Sequence, residues 1–215
     1  MSLAAVYEII NQAKAAELKT QNYAKWLRQQ LDSLHRVIEL NGSQPVEDLI
    51  HFVIDYIELA PRLVECVAYC AAASRTEKLF APFVEKTIHY FAHPSVLVLR
   101  HTGLDCLLIM AYQSHRLVEE VYENNRSLRN SPICDLQATQ ANLLAHHLIG
   151  EPFANELDQA THLTVRQMVS LPDFYHLDLS PFLAKTNTKR WRPLNEDWLN
   201  LLDKHHIRMS FQPRC

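Results

Sequence analysis

Histidines that lie one helical turn from a carboxylate are the residues of this sequence with the clearest potential for chemistry. Twelve histidines occur among the 215 residues. Seven of them have an aspartate or glutamate four residues away, on the same face of a helix: His35, His51, His89, His101, His115, His147 and His162. Such pairs form surface ion pairs, orient an imidazole, or supply two ligands to a metal ion. Surface ion pairing is the simplest interpretation.

Four residues of one predicted helix are the candidate metal ligands: His101, Asp105, His115 and Glu119. His101 and His115 lie about 21 Å apart along a helix axis, so the four residues do not form one shared site. His101 and Asp105 could instead hold a single ion together with Glu17 or a polar residue of the second helix. A di-iron carboxylate bundle needs Glu-x-x-His on two helices, and the sequence has no such motif.

The sequence contains none of the common catalytic or cofactor-binding motifs. It has no G-x-S-x-G nucleophile turn, no phosphate-binding loop, no G-x-G-x-x-G and no H-E-x-x-H. We therefore predict no cofactor. Catalytic residues stay unassigned, and the sequence does not decide whether the chain is an enzyme.

Long helices are the elements that must position these side chains. The chain has only three glycines, too few for a sheet with tight hairpins. Residues 95–123 contain no proline, and their apolar positions recur at spacings of four and three, which is typical of one helical face. We predict a central helix here. Long first and second helices are predicted over 3–40 and 45–73.

Glu17 and Thr20 interrupt the apolar face of the predicted first helix. One interpretation is that a straight helix drifts against a seven-residue repeat and carries Glu17 to the edge of that face. A buried functional glutamate is the alternative. Asn41-Gly42 is expected to end the helix, because glycine adopts the left-handed conformation of a helix C-terminus without strain.

The complete pattern predicts an all-α fold, a bundle of about five to seven helices over residues 1–170. Shorter helices are expected over 74–92, with a capping box at Ser74 to Glu77, over 132–150 and over 153–169. Residues 171–215 contain four of the ten prolines. We predict that they form a proline-rich C-terminal extension with one short helix, over 195–206, packed on the bundle.

Charge and cysteine content limit the class of protein. The net charge of −3 disfavours a general nucleic-acid binder and a membrane-surface protein. An odd number of cysteines in apolar segments favours a reducing, cytoplasmic environment. Neither a secretion signal nor a membrane-spanning segment is recognisable.

The sequence has one basic run, which comprises Lys185, Lys189, Arg190 and Arg192. This run either contacts a phosphate-bearing partner or faces acidic residues such as Asp55 and Glu58.

The preferred functional prediction is a non-catalytic interaction, regulatory or scaffold module that binds a protein partner or self-associates. It rests on the apolar helical faces and the missing catalytic motifs. The alternative is a helical enzyme or sensor with a metal or small-ligand pocket beside the central helix 95–123.

Overall fold

The computed structural model describes residues 2–92, 101–129, 136–186, 189 and 191–210, and these residues are mostly helical. The helices are α1 (Leu3–Thr20), α2 (Asn22–Gln30), α3 (Pro45–Ser74), α4 (Glu77–Ala92), α5 (Leu104–Glu123), α6 (Arg126–Arg129), α7 (Leu136–Ile149), α8 (Phe153–Met168), α9 (Leu171–His176), α10 (Ser180–Thr186), α11 (Trp191–Leu199) and α12 (Leu201–Lys204). Two short strands, β1 (Ile38–Leu40) and β2 (Ile207–Met209), complete the fold. The all-α prediction is confirmed at this level.

The second predicted helix agrees closely with α3. Pro45 lies in its first turn, where the missing N–H costs nothing, and Glu47 and Asp48 follow at the positive end of the helix dipole. The helix continues through Pro61 to Ser74. Its buried face packs against α4 and α5, and these three helices form the centre of the hydrophobic core.

The prediction of a single first helix over 3–40 is wrong. Gln21 adopts the left-handed conformation, with φ of 50°, and separates α1 from α2. Glu17 stabilises the break between the two helices. Its carboxylate accepts hydrogen bonds from the backbone N–H groups of Tyr23 (3.1 Å) and Ala24 (2.9 Å) at the start of α2. Glu17 is therefore a helix cap, which neither sequence interpretation anticipated.

The second half of that predicted helix is not helical. A 3-10 turn over Leu31–Ser33 follows α2, and β1 then pairs with β2 in an antiparallel ladder. Ile38 faces Met209 and Leu40 faces Ile207 in this register. The two strands thus tie the early chain to its C-terminal region.

The central helix is shorter than predicted. It begins at Leu104 rather than Ser95, after the non-helical residues His101 to Gly103. Gly103 has φ of +62°, a conformation that glycine adopts without the strain of a side chain. Residues 93–100, which the prediction also assigned to this helix, lie outside the described part. The helix is nevertheless deeply buried, and Leu108 is completely inaccessible.

The described residues contain twelve helices where five to seven were predicted, because two predicted helices are interrupted and α6, α9 and α10 were not predicted. The capping box at Ser74 does not form, since Ser74 ends α3 and its hydroxyl donates to the Cys70 carbonyl oxygen at 2.7 Å. The predicted helices over 132–150 and 153–169 correspond to α7 and α8, although residues 130–135 lie outside the described part.

The described part of the C-terminal region holds four short helices, α9 to α12, where the sequence predicted one. The predicted helix over 195–206 is divided at Asn200 into α11 and α12. Phe182 of α10 is fully buried and stacks on Phe80 of α4, with ring centroids 4.3 Å apart. The domain boundary at residue 170 stays a prediction. None of the helices in the described residues is long and apolar enough to cross a membrane.

Candidate functional site

The four candidate metal ligands of the sequence fall into two separate places, one at the start of the central helix and one further along it. His101 lies just before α5, and Asp105 lies in its first turn. The His101 Nδ1 atom is 2.5 Å from the Asp105 carboxylate, and the imidazole stacks on Phe153. His115 and Glu119 lie further along α5. Within the described residues, no group of three or more histidine, cysteine, aspartate or glutamate side chains is arranged to hold a metal ion.

His115 is a buried imidazole with one ring nitrogen satisfied. Its side chain is almost inaccessible, and Nε2 donates a hydrogen bond of 2.9 Å to the backbone carbonyl oxygen of Tyr56 on α3. Nδ1 is therefore the acceptor nitrogen of the neutral ring, and it has no hydrogen-bond partner among the described residues. Burial lowers the pKa of His115 to about 3, although the bond to Tyr56 opposes the shift. The ring is therefore neutral at pH 7.

Two aromatic rings enclose this imidazole. The ring of Tyr56 has its centroid 4.5 Å from that of His115, and the indole of Trp198 on α11 approaches edge-on at 4.3 Å. The Trp198 Nε1–H group is also buried without a hydrogen-bond partner in the described part of the chain. The Trp198 donor and the His115 acceptor therefore both lack a partner among the described residues, although their rings are in direct contact. Buried polar groups without hydrogen-bond partners are uncommon in a packed core.

A cavity of about 50 Å³ lies between α5 and α11 and includes His115 in its wall. Its apolar wall consists of Leu63, Val118, Tyr122, Trp191, Leu194 and Trp198. Its polar wall consists of His115, Glu119, Thr139, Asn142 and Asn195. An apolar and aromatic lining with a few convergent polar groups is typical of a small-ligand site.

The polar wall is held in place by a chain of hydrogen bonds across three helices. The Tyr56 hydroxyl donates to the Asn142 side-chain oxygen at 2.8 Å, and the Asn142 amide donates to Glu119 at 2.7 Å. Burial raises the pKa of Tyr56 well above its ordinary value, so the hydroxyl keeps its proton. The carboxylate of Glu119 is thus fixed at the cavity by α3 and α7 as well as by its own helix.

An ion-pair network lies behind the carboxylate. Arg116 contacts Glu119 in a short ion pair and also lies 3.1 Å from Asp158 on α8. The Tyr112 hydroxyl donates to the same Asp158 at 2.7 Å, and burial together with that bond raises the Tyr112 pKa. The Arg116 guanidinium therefore pairs with the carboxylates of both Glu119 and Asp158. His146 lies 3.8 Å from Asp158 and adds a positive charge only when protonated.

Of the residues singled out by the sequence, His115 and Glu119 line the cavity, whereas His101 and Asp105 do not. Sequence reasoning assigned no role at this site to Trp198, Asn142 or Tyr56. Their positions on α11, α7 and α3 carry no local motif. Trp191, which also lines the cavity, lies within the basic run of the sequence.

The acidic residues expected to face the basic run have other partners. Asp55 pairs with Lys204 and His205 of the C-terminal region, and Glu58 pairs with Lys14 of α1. Arg190 of the basic run lies outside the described residues.

Comparisons with known proteins give no relative from which a function could be transferred. No protein-family model matches the chain, and neither a curated protein nor a solved structure matches it.

Proposed function

We propose that this chain is a binding module for a small ligand, which it holds in the cavity between α5 and α11. The observation that carries the proposal is the buried Nδ1 acceptor of His115, which has no partner among the described residues and belongs to a ring in the cavity wall. A buried polar atom without a partner costs about 1–3 kcal/mol. A ligand that donates a hydrogen bond to this nitrogen removes that cost.

The size of the cavity limits the ligand. A volume of about 50 Å³ accommodates about three to five water-sized groups. The ligand, or the part of it that enters, therefore has only a few non-hydrogen atoms. Trp191, Leu194 and Trp198 share one face of α11 and form one side of the cavity.

Binding agrees better with the lining than catalysis does. Among the described residues, the cavity wall contains no serine, cysteine or lysine that could act as a nucleophile. The one hydroxyl group of an aliphatic side chain is that of Thr139, which donates to Glu119 at 3.3 Å. The rest of the polar wall is suited to orienting a ligand.

The surface of the described residues does not test the interaction or scaffold function preferred from the sequence. Leu18 on α1, Leu143 on α7 and Leu163 on α8 are exposed apolar side chains on different helices. Single exposed apolar residues are normal on a protein surface. A protein partner and self-association therefore stay predictions of the sequence.

Nuclear magnetic resonance of the tryptophan indole groups tests the proposal. The chain has three tryptophans, of which Trp191 and Trp198 line the cavity and Trp26 lies on α2. The 15N-labelled full chain is titrated with methylammonium, methanol, acetamide and acetate, because affinities for such small molecules are about millimolar at best. At least one probe should shift the Trp191 and Trp198 signals and leave Trp26 unchanged.

A matched pair of variants links the shifts to the cavity. Thr139 lines the cavity and is exposed, so the larger side chain of Thr139→Trp should occlude the cavity and abolish the shifts without loss of folding. Gln159→Trp adds the same bulk to an exposed position of α8 that does not line the cavity, and it should bind as wild type does. If none of the four probes shifts the Trp191 and Trp198 signals, the proposal is wrong.

A further inference from the structure

We infer that the ligand of the α5–α11 cavity is a small organic cation, with a primary ammonium group on a short apolar body. This inference rests on the proposed binding function and names the chemical class of its ligand. It follows from the charges, the hydrogen-bond acceptors and the aromatic rings of the cavity wall.

The charges of the wall favour a cation over an anion. Glu119 is the one acidic side chain of the wall, and no lysine or arginine lines the cavity within the described part of the chain. His115 carries no positive charge at pH 7, because burial holds its pKa at about 3. An anion would meet the Glu119 carboxylate without a facing positive charge, whereas a cation would be attracted to it.

The surroundings of Glu119 leave negative charge to be compensated. Arg116 is shared between Glu119 and Asp158, so one positive charge faces two negative charges. His146 lies near Asp158 rather than in the cavity wall. A ligand ammonium next to Glu119 would balance the second carboxylate.

Three side chains of the cavity wall carry acceptors for the N–H donors of a primary ammonium group. Nδ1 of His115 accepts no hydrogen bond from the described residues. Within the described part of the chain, Oε1 of Glu119 accepts a single long hydrogen bond, of 3.3 Å, from Thr139. The side-chain amide of Asn195 lines the same cavity and offers a third oxygen. A hydroxyl ligand has one donor and would satisfy only one of these acceptors.

The aromatic wall suits the same class of ligand. Trp191, Trp198 and Tyr122 all line the cavity, and the faces of tryptophan and tyrosine rings attract cations, most strongly where water is excluded. Trp191 is nearly inaccessible. The apolar body of the ligand would pack on Leu63 and Leu194, which face the same space.

The test compares probes of similar size that differ in charge. The full chain is titrated with methylammonium chloride, methanol and sodium acetate at constant ionic strength, and the indole signals of Trp191, Trp198 and Trp26 are followed. Methylammonium should shift the first two and leave Trp26 unchanged. It should bind at least about tenfold more tightly than methanol or acetate, which is the effect of one charge-assisted hydrogen bond.

Two neighbouring carboxylates of α5 provide a matched pair of variants. Glu119→Gln keeps the shape and an acceptor oxygen but removes the charge, and should weaken methylammonium binding about tenfold or more. Glu120 bonds to His162 and Asn124 and does not line the cavity, so Glu120→Gln should bind methylammonium as wild type does. The probe comparison on the wild-type chain decides the question even if Glu119→Gln fails to fold.

The contrary results separate this inference from the proposed function. If methanol or acetate binds at the cavity as tightly as methylammonium, the cavity binds ligands but the cationic class is wrong. The inference is also overturned if folded Glu119→Gln binds methylammonium like wild type. If none of these three probes shifts the Trp191 and Trp198 signals, the cationic class is wrong, and if acetamide also leaves them unchanged, the proposed function is wrong as well.

Discussion

The indole of Trp198 lies edge-on against the imidazole of His115, with ring centroids 4.3 Å apart and ring planes inclined by 76°. The two residues are 83 positions apart in the sequence, on α11 and α5. The contact places the C-terminal region directly over the middle of the central helix. It also encloses a neutral histidine whose protonation would be costly, and this has a measurable consequence.

His115 should make the folded state sensitive to acid. Its folded pKa of about 3 lies below the ordinary value of about 6.5 for an unfolded chain. The unfolded state therefore binds the proton first, and the free energy of unfolding falls as pH decreases from about 6.5 towards 3, by at most about 1.4 kcal/mol per pH unit. His115→Gln should remove this part of the dependence in urea unfolding between pH 6.5 and 4.5. Equal slopes for wild type and variant would contradict the burial of the imidazole.

Leu108 tests the central helix as the core of the fold. Its side chain is completely buried, so Leu108→Ala should lower the free energy of unfolding by about 2–5 kcal/mol through the cavity that it creates. Leu18 on α1 is 83% exposed, and Leu18→Ala should change the same quantity by less than about 0.5 kcal/mol. A loss below about 1 kcal/mol for Leu108→Ala would mean that α5 is not central to stability.

Phe182 tests whether the C-terminal region is part of the same core. Its ring stacks on Phe80 and is fully buried, and Phe182→Ala should cost about 3–5 kcal/mol in urea unfolding. Tyr175 is 39% exposed, and Tyr175→Ala should cost less than about 1 kcal/mol. Similar small effects for both variants would show that this region contributes little to the stability of the helices before it.

Asp55 tests the attachment of α12 to α3. Burial alone would raise the pKa of Asp55, but hydrogen bonds from His205 and Lys204 outweigh burial and lower it. This stabilisation is present above the unfolded pKa and is lost as pH falls through the lower folded pKa. Asp55→Asn should therefore cost about 1–2 kcal/mol near neutral pH, and the difference from wild type should shrink below about pH 4. Asp203→Asn, at an exposed position of α12, is the control and should change the free energy of unfolding by less than about 0.5 kcal/mol.

Glu17 tests the break between α1 and α2. Removal of its carboxylate in Glu17→Ala leaves the N–H groups of Tyr23 and Ala24 without their acceptor and should cost about 1 kcal/mol in thermal or urea unfolding. Glu17→Gln keeps an acceptor oxygen and should lose less. Glu8, whose carboxylate accepts from Gln12 at the surface of α1, is the control, and Glu8→Ala should change stability by less than about 0.5 kcal/mol. Equal effects at both positions would contradict the capping role.

The features that the sequence determined are those that depend on neighbouring residues. Pro45 and the two acidic residues after it specify the start of α3, because proline and negative charge both favour the first helical turn. The spacing of apolar residues along 104–123 specifies the buried face of α5. It also placed His115 and Glu119 on a helix that lines the cavity, although nothing in the pattern distinguished this pair from His101 and Asp105.

The tertiary structure alone decided the features that depend on distant residues. Residues 31–40 have a helical apolar pattern, yet Ile38–Leu40 pairs with Ile207–Met209, because the hydrogen bonds of a ladder come from a partner strand that local periodicity does not encode. The cavity likewise needs α11 to cross α5 and bring Trp191 and Trp198 to His115 and Glu119. A helical pattern specifies which face of a helix is buried, but the residues that cover this face are chosen by packing over the whole chain.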